Sequence, residues 1–135
     1  MNVQNQTKNI MSKAIDNYAN ENNVENYQTQ LMINSDENSD VPTYKLLINN
    51  KIKQELTFNE ILNVKIDFLG REQIATPFIA NTLKRLSKEQ NCDLKDVNVL
   101  IYKIKDNENI NLYVFQKSKP IKAITLDYIF ENNLN

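Results

Sequence analysis

No histidine and no tryptophan occur in this 135-residue chain, and cysteine and glycine occur once each. Each scarcity closes off a class of chemistry. Without histidine the usual neutral-pH acid or base, the orienting member of a catalytic triad and the commonest metal ligand are all missing. The single thiol, Cys92, permits no internal disulfide, no zinc cluster and no Cys–His nucleophile pair. One glycine rules out a P-loop and the glycine-rich dinucleotide fingerprint. No basic leader with an apolar run follows the start, and no apolar run is long enough to span a bilayer. A soluble, cytoplasmic protein with no membrane partner is therefore expected.

The chain is rich instead in 23 Asn, 15 Ile and 14 Lys, beside only 2 Arg. Residues with AT-rich codons are inflated, which points to a genome of low GC content, bacterial or phage. Asn enters the left-handed backbone region more readily than other non-glycine residues, so here it can make turns that glycine usually makes. The net charge of −1 is unevenly placed: residues 1–42 carry −4 and residues 43–135 carry +3. An acidic arm on a mildly basic body is the expected organisation, with residues 1–42 as arm, 43–131 as domain and 132–135 as tail.

In the arm, Val3, Thr7, Ile10, Met11, Ala14 and Tyr18 recur at helical steps and predict a helix over about residues 4–20. A lone helix of this length is marginal in water. Two readings stand: a tail or a helix folded back on the body, and an arm that orders on a protein partner through Ile10, Met11, Ile15 and Tyr18, with Leu31 and Ile33 from the short piece "YQTQLMI".

From Thr43 the pattern tightens. "TYKLLI" and "KIKQELT" read as strands joined by Asn49-Asn50, a two-residue turn needing positive φ. Thr57 with Glu60 matches a capping box that opens a helix, and Gly70 falls where that helix would end in a left-handed residue. Thr76 and Pro77 then start a second helix, with Phe78 or Ile79, Leu83 and Leu86 on one face. "VNVLIYKIK", "INLYVFQK" and "IKAITLDYIF" follow as a three-strand meander, its first hairpin turning at Asp106–Asn109. In the first of these strands, Val97, Val99 and Ile101 share one face and Leu100, Tyr102 and Ile104 the other. The fold class is α+β: an antiparallel sheet made of an N-terminal hairpin and a C-terminal meander, with two helices on one face, preceded by the helical arm. No internal repeat is legible.

Candidate chemistry is thin. Asp93 with Asp96, Asp106 with Glu108, and Asp127 with Glu131 are acidic pairs, but a hard cation needs several ligands converging from separate segments. No catalytic residue, cofactor or metal is expected. Arg71, Lys84, Arg85 and Lys88 cluster near the second helix, and Lys103 and Lys105 lie at one end of the meander. With Tyr113 and Phe115 spaced for base stacking, they define a nucleic-acid alternative. The leading expectation is a non-catalytic protein–protein interaction or assembly protein. A phage or mobile-element product fits the composition, either a virion or assembly component or an inhibitor of a host protein.

Overall fold

Asn49 and Asn50 take φ values of 51° and 67°. Two consecutive positive values are what a type I′ hairpin requires, so the strands on either side pair as the sequence predicts. These are β2 (Thr43–Ile48) and β3 (Lys51–Leu56). The computed structural model describes residues 3–35, 42–57 and 69–131. Along these run α1 (Val3–Glu21), β1 (Thr29–Asn34), β2, β3, α2 (Leu69–Gln90), β4 (Val97–Lys103), β5 (Ile110–Gln116), β6 (Lys119–Ile124) and α3 (Leu126–Glu131). The strands form one antiparallel sheet in the order β3-β2-β1-β4-β5-β6. The fold is α+β.

Residues 3–35, the described part of the expected arm, are not apart from this sheet. β1 lies at its centre, pairing with β2 on one side and β4 on the other. The side chains expected to meet a partner are spent on the chain's own core: Ile10, Met11, Ile15, Tyr18, Leu31 and Ile33 are all buried together with Val97, Val99 and Ile101. The weak stripe on α1 suffices because Ala14 and Ala19 are small and buried, letting the helix settle closely on the sheet.

The two halves of the chain repeat one another. A shift of 68 residues carries β3, Lys51–Leu56, onto β6, Lys119–Ile124, and the 3₁₀ turn Asn26–Gln28 onto Leu94–Asp96. It carries left-handed Asn23 (φ 56°) onto Asn91 (φ 53°), and Asn49 (φ 51°) onto Lys117 (φ 56°). The turn amide of Asn49 donates to the Gln28 carbonyl at 2.7 Å, and that of Lys117 to the Asp96 carbonyl at 2.7 Å. Even the strand irregularities match, one between Leu46 and Leu47 and one between Val114 and Phe115. At the sheet centre Leu31 faces Ile101, Met32 faces Leu100 and Ile33 faces Val99. Met32 thus sits opposite its own equivalent, and a pseudo-two-fold axis passes between these two residues. Few side chains are shared: Glu21 and Glu89, Asn23 and Asn91, Ile33 and Ile101, Lys51 and Lys119 are examples that are identical. What repeats is backbone geometry.

α2 corrects two boundary expectations. It runs from Leu69 through Pro77 to Gln90, so Gly70 lies in its first turn and ends no helix, and among the described residues no glycine has positive φ. Pro77 does not start the helix but stands inside it, where it removes the amide that would bond the Gln73 carbonyl, a cost of about 3 kcal/mol. The stripe downstream offsets that cost. Ile79, Ala80, Leu83 and Leu86 are buried, and Phe78 packs on Phe130 at 5.2 Å between ring centroids. The helix expected from Thr57 falls on residues 58–68, outside those described. The last predicted strand is also divided: β6 ends at Ile124, and the Tyr128 amide donates to Thr125 Oγ1 (3.2 Å), capping α3.

One cation is built into the buried face. β4 alternates strictly, with Val97, Val99, Ile101 and Lys103 turned to the helices. The Lys103 side chain is fully buried, and its ammonium donates to Asp16 Oδ1 at 2.8 Å, with Glu108 at 3.6 Å. Asp16 Oδ1 also accepts from Asn26 Nδ2 at 3.2 Å, so one carboxylate ties α1 to β4 and to the turn before β1. Breaking a buried pair from one side strands a charge, while removing the cation for an apolar chain of similar shape does not. Because the Asp16 side chain is 40% exposed, water softens the loss. Asp16→Ala should lower unfolding stability by about 2 kcal/mol and Lys103→Met should change it by less than about 1 kcal/mol. Urea midpoints check this, and Lys103→Met as the more damaging change would contradict it.

Candidate functional site

β1, β4 and β5 have two unlike faces. One holds Leu31, Ile33, Val99, Ile101, Leu112 and Val114 beneath the helices. The other carries Met32, Leu100, Tyr102, Tyr113 and Phe115, all half-buried, and no described helix packs there. The register places these residues side by side: Met32 faces Leu100, Leu100 faces Tyr113, and Phe115 faces Pro120. Tyr113 and Phe115 touch at 5.5 Å with rings tilted by 55°. Local sequence makes this surface, because alternation in a β-strand sends every second residue to it.

Two adjoining hollows mark its centre. One, about 390 Å3, is lined by Tyr27, Gln30, Leu100, Tyr102, Tyr113 and Phe115, among others. The other, about 380 Å3, includes Met32, Leu47, Asn98, Leu100, Phe115 and Lys117. The 68-residue shift relates them, since it carries Gln30, Met32 and Leu47 to Asn98, Leu100 and Phe115. Among the described residues the exposed large apolar side chains are Tyr27, Ile52 and Ile104. Tyr27 borders the first hollow, Ile52 pairs with Leu47, and Ile104 continues the alternation of Leu100 and Tyr102 beyond β4. Apolar exposure is concentrated on this side of the sheet. The charges on it are few: Lys45 and Glu55 oppose one another in register, and Lys117 stands at the rim.

The sheet edges are guarded. β3 carries Lys51 and Lys53, β6 carries Lys119, Lys122 and Pro120, and each outer pairing has an irregularity. Lysine, proline and bulges on an edge strand oppose pairing with another chain.

The basic residues singled out from sequence do not form one stripe. Lys103 is buried and paired, which corrects its assignment to the surface. Its place opposite Tyr102 in the strand alternation was the signal that could have shown this. Lys105 lies 5.8 Å from the Tyr27 ring centroid and borders a hollow shared with Glu25, Asp106 and Glu108. Arg85 is bound into the fold: its guanidinium sits 4.2 Å over the Tyr128 ring and donates to the Tyr128 carbonyl at 2.9 Å. Glu89 completes that cluster, accepting from Lys122 Nζ and from Tyr128 Oη, both at 3.0 Å. The bond from Lys122, then that from Tyr128, holds the Glu89 carboxyl below the ordinary range against the opposing effect of burial. Lys84 is half-buried and Lys88 exposed on α2, whose backbone also carries Arg71.

Among the described residues no three His, Cys, Asp or Glu side chains converge as a metal site would require. Asp93 and Asp96 flank a 3₁₀ turn, and Asp106 and Glu108 lie in the β4–β5 hairpin. Cys92 is half-buried, and burial first, then the charges of Asp96 and Asp93, pushes its thiol above the ordinary pKa. Comparisons with protein-family models, curated proteins and solved structures find nothing that matches this chain.

The raised thiol gives a direct check on the local electrostatics. Only the thiolate is a good nucleophile. Iodoacetamide should therefore alkylate Cys92 several-fold more slowly than a free cysteine at pH 7.5, with a rate midpoint shifted to higher pH. Faster reaction than free cysteine would contradict the environment described.

Proposed function

We propose that this protein is a non-catalytic interaction or assembly module that binds another protein surface through the open face of its sheet. The observation that carries the reading is the one-sided cover of the sheet, which leaves Met32, Leu100, Tyr102, Tyr113 and Phe115 in contact with solvent. Soluble proteins seldom keep a contiguous apolar patch without a use for it. Aromatic and methionine side chains are also those enriched at the centres of protein interfaces. The absence of histidine and the single cysteine in the sequence support the same reading. A phage virion or assembly component, or an inhibitor of a host protein, remains the setting that the AT-biased composition suggests.

Nucleic-acid binding is the second reading, favoured by the accessible Tyr113–Phe115 pair. It is the weaker one, because phosphate neutralisation needs several cations around the aromatics. The face offers Lys45, opposed by Glu55, and Lys117 at the rim.

Photo-crosslinking tests the reading. With p-benzoylphenylalanine at position 115, irradiation in the expressing cell should give covalent adducts to protein, and the same group at position 88 on α2 should give few. Adducts to nucleic acid from position 115, or equal yields from both positions, would contradict it.

A further inference from the structure

We infer that the occupant of the open face is a second copy of this chain, stacked sheet to sheet across a two-fold axis. This rests on the interaction reading given above and goes beyond it by naming the partner. Three observations converge.

The first is charge. An isologous interface sets a patch against itself, so a strongly charged patch would repel its own copy. Here Lys45 and Glu55 offset one another across neighbouring strands, Lys117 stands at the rim, and Gln30, Asn98 and Asn111 between them are neutral. A face with so little net charge is matched to its own image.

Symmetry is the second. The pseudo-two-fold axis between Met32 and Leu100 runs through the middle of the face, and the two hollows lie on either side of it. A second copy offers the same pseudo-symmetric face. The stacked pair would then have three mutually perpendicular two-fold or pseudo-two-fold axes, and both hollows would be filled in equivalent ways.

The third is the closing of the other routes. Lysines, Pro120 and the paired irregularities oppose strand addition at β3 and β6, and α1 is consumed by the chain's own core. Among the described residues, this leaves the face as the extended apolar surface open to assembly.

Area sets the strength. Six strands at about 4.8 Å spacing and about 20 Å length present roughly 500 Å2, so a stacked pair buries about 1,000 Å2 in total. That is the lower limit for a specific interface. The dimer is therefore expected to dissociate on dilution.

Sedimentation velocity of the full chain over about three decades of concentration tests this. The expected result is a monomer that becomes a dimer as concentration rises. Leu100→Glu should weaken that dimer at least about a hundredfold, and Lys88→Glu on α2 should leave it unchanged. Circular dichroism and a melting curve verify that each variant folds. Tyr113→Ser serves as a second variant should Leu100→Glu unfold. A dimer insensitive to both open-face changes would overturn the inference, because another surface would be forming it. A monomer at every concentration would also overturn it. In that case a fluorescent apolar dye, 1-anilinonaphthalene-8-sulfonate, separates the two claims. Dye binding lost in Leu100→Glu would keep the open face as a docking site for a different protein. No binding in the unaltered chain would remove the interaction reading as well.

Discussion

The antiparallel seam between β1 and β4 is the constraint on which the rest of this structure depends. Leu31, Met32 and Ile33 face Ile101, Leu100 and Val99 there, and every other strand is added outward from that seam. Because the seam is symmetric about Met32 and Leu100, each half grows the same three-strand meander in opposite directions. Because strands alternate, the seam also decides sidedness. Leu31, Ile33, Val99 and Ile101 go to the helices, and Met32 and Leu100 go to the open face. Asn34 reinforces the join, its side-chain amide donating to the carbonyls of Val97 and Lys95 and to Asn98 Oδ1.

Sidedness gives the sheet two chemically unlike faces. Helices α1, α2 and α3 cover one face and draw the apolar groups of both halves into one core. The Lys103–Asp16 pair fastens α1 over that core, and the Arg85–Tyr128–Glu89–Lys122 cluster fastens α2 to α3 and β6. Both clusters join secondary-structure elements to one another. The charged clusters and the lysine-bearing edges thus hold or bound the sheet, and among the described residues its other face carries Met32, Leu100, Tyr102, Tyr113 and Phe115 half-buried. The architecture rests on one asymmetry: among the described residues, helices pack on a single face of the sheet.

Much of this was legible in the sequence, and what escaped has a physical reason. The Asn49-Asn50 turn, both meander strands β4 and β5, and the extent of α1 follow from turn chemistry and periodicity. The position of α1 did not, because the weak hydrophobicity of its stripe says nothing of how closely Ala14 and Ala19 let it approach the sheet. In the sequence β1 is only a short apolar piece between Asn-rich spacers, and its centrality is a tertiary fact. The repeat was hidden because it is conserved between the halves as backbone conformation. Asn49 and Lys117 share a left-handed φ with no resemblance in side chain. Gly70 and Pro77 misled because both are usual marks of a helix boundary, whereas here the helix runs through them. The aromatic pair Tyr113 and Phe115 was found as a spacing. Its role as the centre of an open face required the sheet.

Native-state hydrogen exchange of the isolated chain tests the central claim most directly. If the β1–β4 seam holds the two halves together, amides of Leu31 to Ile33 will exchange as slowly as those of Val99 to Ile101, and Met11 to Tyr18 will be protected with them. Exchange of residues 3–35 within seconds beside a protected β4–β5–β6 meander would contradict the account, returning the N-terminal segment to the status of a detachable arm.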